Sequence, residues 1–290
     1  MKQQGRKPLL LALVIGVLSL FLFVFLLQVV WAHRNWVQPS AVDKRSIADV
    51  LQDETMQEEE YSFLLAQTGL GKEAIDSLLA KGDEGKERIL EYQTEYLKQV
   101  YVKCAPLLGW FTREDLLVDQ ERNLVKGPDF VNIQPGDMLL SLSTHSMGWM
   151  HGHAALVLDE KRALQTLALG ENSVITDVDS WRNYSNYALL RVRGVSPERG
   201  LDVATYAEQH LQDIPYRLLA GLFQEKKMNS ESKFFGAHCA YLVWYAWEEF
   251  GVDLDGDGGR VVTPRDLLES DQLEIVQVYG LLPHDLERAD

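Results

Sequence analysis

The sequence predicts an α+β fold in which an antiparallel sheet packs on one buried helix. Short apolar runs bounded by turn residues, at 138–142, 154–158 and 163–168, are typical of strands. The segment Ala240–Phe250 is apolar nearly all round, which indicates a helix that is buried on every side, and Gly251 is suited to end it. These patterns predict one sheet-and-helix domain within residues 129–275.

The N-terminal segment predicts a membrane anchor in residues 1–33. Leu9–Trp31 is 23 residues long with two polar interruptions, enough to span a bilayer as a helix. Three basic residues precede this run, so the positive-inside rule places the N-terminus in the cytoplasm and the remainder outside it. The alternative is a cleaved signal peptide, since Val30–Ala32 offers tolerated residues at the cleavage positions.

Residues 34–128 predict a helical, membrane-proximal region. Helical spacing of apolar residues covers Ser46–Gln67, Lys72–Ala80 and Glu87–Leu107, and glycines separate the first two segments. No catalytic cluster occurs there. We expect a small helical subdomain that packs on the main domain or spaces it from the membrane, and a C-terminal tail at 276–290.

Charge and cysteine content limit the function classes. The net charge of −15 argues against nucleic acid as a partner and fits a solvated extracytoplasmic protein. Two cysteines make no disulfide framework. One alternative is a bridge between Cys104 and Cys239 outside the cell, which would block Cys239 as a nucleophile. The other is that Cys104 belongs to the core.

Cys239 is the candidate nucleophile because it opens the predicted buried helix. In the first turn of a helix, unpaired backbone N–H groups and the positive end of the dipole favour the thiolate, which predicts a depressed pKa for Cys239. The same N–H groups are suited to hold an oxyanion. The alternative is that Cys239 is a small buried apolar residue.

A base and its orienting residue are predicted on two neighbouring strands. His153 opens the apolar strand that ends at Leu158, and a turn at Asp159–Arg162 leads to the strand that contains Gln165. In such a hairpin the Gln165 amide oxygen can accept a hydrogen bond from the imidazole and fix its tautomer.

These motifs, in this order, resemble the circularly permuted NlpC-type papain-fold hydrolases, the YiiX-like group. The resemblance covers about half of the chain, from Asn132 to Ser270, and rests on Gly136-Asp137, His153, Ile214-Pro215-Tyr216, Cys239-Ala240-Tyr241-Leu242-Val243-Trp244, Gly251-Val252-Asp253-Leu254 and Val262–Leu267. It implies a papain-like fold with Cys239 as nucleophile, His153 as base and Gln165 as the orienting residue. Relatives usually carry a glutamate at the Gln165 position, and a neutral amide stabilises an imidazolium less.

Other polar residues have weaker assignments. Tyr216 and Trp149 are candidates to line the substrate pocket. His145 and His151 are predicted to lie in a loop and His238 to face away from the Cys239 sulfur, so none of them is the predicted base.

Two metal sites are open alternatives, although no metal or cofactor is expected. The histidines at 145, 151, 153 and 238, together with Cys239, could supply zinc ligands, but no metal-binding spacing motif is present. The stretch Asp253–Gly259 opens like a calcium loop, but Pro264 stands where its bidentate glutamate belongs.

The predicted function is that of a cysteine peptidase or amidase that cleaves amide bonds in cell-wall peptides. The alternatives are an amidase or acyltransferase acting on a lipid or other small amide, and a non-catalytic envelope-binding module that keeps the fold.

Overall fold

The computed structural model describes residues 6–34, 36–37, 43–53, 55–104, 112–146, 149–222, 225–233 and 235–281. Within these ranges the helices are α1 (Arg6–Arg34), α2 (Glu58–Thr68), α3 (Lys72–Leu79), α4 (Asp83–Tyr96), α5 (Pro197–His210), α6 (Cys239–Glu248) and α7 (Pro264–Glu269). The strands are β1 (Trp36–Val37), β2 (Tyr101–Lys103), β3 (Leu116–Val118), β4 (Met138–Ser141), β5 (His145–Ser146), β6 (Trp149–Met150), β7 (His153–Val157), β8 (Arg162–Gln165), β9 (Val174–Asp177), β10 (Tyr187–Val192) and β11 (Leu273–Tyr279). Short 3₁₀ turns occupy Val50–Gln52 and Val178–Asn183.

A six-stranded sheet organises the molecule. Its order is β11-β10-β4-β7-β8-β9, and every neighbouring pair is antiparallel. Two small sheets, β1-β2-β3 and β5-β6, lie outside it. The predicted α+β class with an antiparallel sheet is therefore confirmed.

The two faces of this sheet bury different helices, because alternate residues of a strand point to opposite faces. One core contains the sheet residues Met138, Leu140, Ala154, Leu156 and Leu164 together with the buried side chains of α5, α6 and α7. The other contains Leu139, Ala155, Val157, Ala163 and Leu189 together with side chains of α2, α3 and α4. Helix α6, which is buried along nearly its whole perimeter, thus lies on one side of the sheet and the helical region on the other.

The helical region packs directly on the edge of the sheet. The Gly71 amide donates to the Val276 carbonyl oxygen at 2.9 Å, and the Val278 amide donates to the Gly69 carbonyl oxygen at 2.7 Å. A Cβ atom on Gly71 would lie 1.8 Å from the Ile275 carbonyl oxygen, so only glycine permits this approach. Of the two expected arrangements, packing on the main domain is the one observed.

Several boundaries differ from the sequence prediction. Helix α2 begins at Glu58 rather than at Ser46, because Gln57 and Glu60 form a capping box at this point of the chain. Helix α4 ends at Tyr96 instead of continuing to Leu107, because Tyr101–Lys103 pairs with β3 as a strand. Strand β11 continues past residue 275 into the segment expected to be a tail.

The N-terminal helix α1 carries exposed leucine, valine and phenylalanine side chains between Leu11 and Leu27. In the described part of the chain, no helix has both the length and the apolar character that membrane crossing requires. The membrane-spanning part of the fold prediction is therefore unsupported.

Candidate active site

Helix α6 begins at Cys239, as predicted, and His238 is its N-cap. The His238 Nδ1 atom accepts a hydrogen bond from the Tyr241 backbone N–H at 3.4 Å. Burial lowers the pKa of His238 to about 4, so the ring is neutral near pH 7 and able to accept. This cap satisfies one of the free N–H groups of the helix and commits His238 to a structural bond.

The Cys239 thiol is buried between this helix end and the start of β7. The residue is 6% exposed. Burial raises the pKa of Cys239 to about 11, and hydrogen bonding from the backbone N–H groups of Ala154 and Ala240 opposes the rise only in part. Because Ala154 follows His153, this contact brings the sulfur to the strand that carries the predicted base.

The prediction of a depressed Cys239 pKa is wrong for this structure. A rise from 9.0 to about 11 disfavours the thiolate by about 3 kcal/mol. A helix terminus contributes about 0.3–1 kcal/mol in the opposite direction in most settings. Sequence position revealed the dipole but not the complete burial of the sulfur.

The β7–β8 hairpin brings His153 and Gln165 together. Its turn is closed by Asp159, whose Oδ1 accepts from the backbone N–H groups of Lys161 and Arg162 at 2.9 Å each. The register pairs Leu156 with Leu164, which places residues 153, 155 and 165 on the same face. The His153 Nε2 and Gln165 Oε1 atoms are 2.6 Å apart, so the predicted hydrogen bond is present.

A third residue, Thr176 on β9, fixes the direction of this bond. The Thr176 hydroxyl donates to the Ala163 carbonyl oxygen at 3.5 Å and accepts from Gln165 Nε2 at 2.6 Å. The amide oxygen of Gln165 then faces His153, so His153 Nε2 carries the hydrogen of this bond. The Nδ1 atom is then unprotonated, and its lone pair can accept a proton, as a general base must.

The His153 ring is held in place by packing as well. It stacks on Trp181 with ring centroids 5.2 Å apart and an interplanar angle of 7°. Both residues are almost fully buried. Burial lowers the pKa of His153 to about 4, although the Gln165 hydrogen bond opposes the shift. His153 and Cys239 are therefore both neutral near pH 7.

A buried carboxyl group, which the sequence pattern did not indicate, lies near Cys239. Glu114 is contacted by the hydroxyls of Thr144, Ser143 (3.2 Å) and Ser141 (3.3 Å). Burial raises the pKa of Glu114 to about 7, and its charge contributes to the raised pKa of Cys239. Three hydroxyl residues within 141–144 were the one available signal, because hydroxyl clusters in a buried turn need an acceptor.

The remaining histidines have other partners. His145 Nε2 lies 3.2 Å from Asp115 Oδ1, which raises the pKa of His145. His151 Nδ1 lies 2.7 Å from the Gly152 carbonyl oxygen. Among the described residues, the histidines and Cys239 do not come together with the spacing of metal ligands. The zinc alternative therefore has no geometric support in this part of the chain.

The two residues predicted to line the substrate pocket are Tyr216 and Trp149. Tyr216 forms an isolated parallel β-bridge with Ala237, two residues before Cys239, and its backbone amide donates to the Glu171 carbonyl oxygen at 3.0 Å. Burial, and the nearby Cys239, raise the pKa of Tyr216. Trp149 lies in β6, but its side chain is outside the described part of the structure. A substrate contact by either residue stays a prediction.

Neither cysteine takes part in a disulfide. Cys104 is half-buried and Cys239 is buried, and both are free. Burial and the nearby Asp115 raise the pKa of Cys104 to about 11.

Comparison with known proteins gives one weak likeness. No protein-family model matches the chain, and no curated protein is similar to it. Among solved structures, the crystal structure of metalloprotein yiiX from Escherichia coli O157:H7 (DUF1105) is similar over 49% of this chain and 96% of that chain, with 17% sequence identity and a TM-score of 0.34. A likeness at this level carries no conclusion about family or function, and the catalytic roles of Cys239, His153 and Gln165 stay predictions.

Proposed function

We propose that this protein is a cysteine hydrolase that cleaves amide bonds. The observation that carries the proposal is the directed hydrogen-bond chain from Ala163 through Thr176 and Gln165 to His153. It leaves a lone pair of His153 on Nδ1, and the backbone N–H of the next residue, Ala154, contacts the Cys239 sulfur. His153 shares the strand face of Ala155, whereas helix α6 packs on the opposite face, so the proposal requires the imidazole to reach the sulfur around the start of β7. A neutral imidazole held in one tautomer is suited to general-base catalysis.

In the proposed reaction the sulfur attacks the substrate carbonyl carbon while its proton passes to His153 Nδ1. Because the thiol and the imidazole are both neutral at rest, proton transfer accompanies attack and does not precede it. N–H groups at the head of α6 stabilise the tetrahedral oxyanion. His153 returns the proton to the leaving amine, and a water molecule, deprotonated by the same atom, hydrolyses the thioester and restores the thiol.

The proposed substrates are peptides of the cell wall. This choice rests on the basic residues that precede Leu9, which favour an extracytoplasmic location with the N-terminal helix as anchor, and on the resemblance of the motifs to NlpC-type hydrolases. Protease treatment of intact cells should then remove the portion after His33. Protection of that portion would contradict the location, and recovery of a protein that begins near His33 would show a cleaved signal peptide.

The burial of Cys239 favours a second candidate, a non-catalytic binding module that keeps the fold. A thiol with a pKa of about 11 and 6% exposure is a poor nucleophile until the site opens. Reaction with a thiol-directed acylating probe separates the two candidates, since only a hydrolase turns the acyl-enzyme over.

The decisive experiment measures cleavage of synthetic stem peptides and of lipid amides by mass spectrometry. We expect Cys239→Ser and His153→Ala to abolish turnover, with a loss of several orders of magnitude. His210→Ala is the matched control, since His210 is an exposed histidine of α5. Acyl-enzyme formation that is equal in the native protein and in His153→Ala would contradict the assignment of the base.

A further inference from the structure

Three carboxylates meet where the loop after α6 crosses α7. One carboxylate oxygen from each of Asp255, Asp257 and Asp266 lies within 4.8 Å of the others. Asp255 and Asp257 belong to the Asp253–Gly259 stretch, whereas Asp266 lies in the first turn of α7. The cluster therefore joins two segments of the chain that differ in structure.

Asp255 is an unusual member of this group because its side chain is fully buried. The side chain is 0% exposed, and its Oδ1 atom has no hydrogen-bond partner. The other oxygen, Oδ2, pairs with Lys226. A buried anionic oxygen without a partner carries the full cost of its lost hydration, so this atom calls for a ligand.

The other two carboxylates leave oxygens free to face Asp255. Asp257 is exposed, and its Oδ1 accepts from the Gly259 amide at 2.7 Å. Asp266 uses Oδ2 to cap α7 through the Thr263 amide at 2.6 Å. Asp257 and Asp266 thus each have one carboxylate oxygen that accepts from a backbone N–H and a second oxygen that takes no part in these two bonds.

The backbone of the loop is shaped to hold these groups close together. A Cβ atom on Gly256 would lie 2.8 Å from the Asp266 carbonyl oxygen, so the loop can touch α7 only with glycine at this position. Gly258 has a φ of +67°, in the left-handed region that a sharp turn requires. Both glycines lie between or directly after the ligand positions.

We propose that Asp255, Asp257 and Asp266 form a binding site for one Ca²⁺ ion. Carboxylate oxygens are the ligands that calcium prefers, and calcium tolerates irregular geometry, with carbonyls and water completing six to eight positions. Magnesium demands near-ideal octahedral coordination, which a loop-and-helix site of this kind does not impose.

The site differs from the loop that the sequence pattern suggested. In that pattern Asp253 is the first ligand and position twelve the last. Here Asp253 Oδ1 is already occupied by Trp244 Nε1 at 2.7 Å and by the Asp255 amide at 3.1 Å. Asp266, two positions beyond Pro264, supplies the third carboxylate instead.

The charges of the cluster do not balance among the described side chains. Lys226 offsets one of the three negative charges. A divalent cation balances the remaining two.

The test uses the full-length chain in detergent after dialysis against a chelator. Tb³⁺ is a luminescent substitute for Ca²⁺. The Trp244 indole N–H donates a hydrogen bond to Asp253, so this indole is close enough to sensitise Tb³⁺ bound in the cluster. We expect saturable Tb³⁺ luminescence on tryptophan excitation, its displacement by Ca²⁺ but not by equal Mg²⁺, and a higher melting temperature in Ca²⁺.

Asp257→Asn should weaken Ca²⁺ binding about tenfold or more, because ligand charge sets affinity in such sites. Asp257 is exposed, so the substitution should leave folding intact. Asp202→Asn, at an exposed position of α5, is the matched control and should bind as the native chain does. Absence of a saturable signal, or equal binding by Asp257→Asn, would overturn the site, and equal displacement by Mg²⁺ would overturn the choice of calcium.

Discussion

Thr176→Val tests whether the candidate base is held in one tautomer by its surroundings. Valine keeps the shape of threonine but removes the hydroxyl that accepts from Gln165 Nε2. In the native protein that hydroxyl decides which end of the Gln165 amide faces His153. Without it, the amide can turn round and donate to His153 Nε2, which moves the imidazole hydrogen to Nδ1.

The size of the effect follows from the hydrogen bond that is lost. A net contribution of about 1.4 kcal/mol favours one amide orientation about tenfold. We therefore expect the Nε2–H tautomer to fall from roughly nine-tenths of the molecules to about half. Leaving the buried Gln165 amide nitrogen unpaired should also lower the free energy of unfolding by about 1–3 kcal/mol.

The measurement is the ¹⁵N chemical shift of the two His153 ring nitrogens in histidine-labelled protein, which distinguishes the tautomers directly and needs no substrate. Thr176→Ser keeps the hydroxyl and is the control, with a native tautomer ratio. An unchanged ratio in Thr176→Val, together with unchanged stability, would refute the directed chain.

Three further predictions concern the orienting residue Gln165, the helix cap His238 and the buried carboxyl group of Glu114. Gln165→Ala should reduce turnover less than His153→Ala does, and Gln165→Glu should keep or raise it by stabilising the imidazolium; kcat/KM for a cleaved peptide measures this, and a dead Gln165→Glu variant would contradict it. The pKa of His238 is about 4 in the folded state against 6.5 unfolded, so its neutral burial stabilises the fold above pH 6.5, and about 3 kcal/mol is lost as the pH falls to 4. His238→Asn should keep the cap and remove this loss, as urea unfolding at pH 7 and pH 4 would show, and an equal loss in both proteins would exclude it. The pKa of Glu114 is raised from 4.5 to about 7, so the stability that it contributes as a neutral, protonated group is present below pH 4.5 and is lost as the pH rises through 7. Glu114→Gln should therefore be more stable than the native chain at pH 8, by up to about 3 kcal/mol, but not at pH 5.

The contact between His153 and Gln165 could be predicted because local sequence determines it. A turn at Asp159–Arg162 sets the register of two adjacent strands, and the register fixes which residues share a face. The head of α6 was predictable for a similar reason, since the apolar helical pattern begins directly after Cys239. In both cases the information lies within a few residues of the feature.

The residues that sequence reasoning missed depend on distant parts of the chain. Thr176 reaches Gln165 only because β9 pairs with β8, and nothing in the sequence around Thr176 marks it as a partner. Glu114 becomes buried through hydroxyls that lie 27 to 30 residues away. The pKa of Cys239 was predicted with the wrong sign because burial is a property of the packed molecule and not of the helix terminus.

The junction between Gly69–Gly71 and β11 sets the order in which the protein can be completed during synthesis. These glycines leave the ribosome about 200 residues before their partners at 276–278, which is a delay of roughly 10–40 s at ordinary rates of translation. Until β11 emerges, the helical segment lacks these two backbone hydrogen bonds and the second core lacks Val276. Completion of that core therefore waits until both segments have been translated.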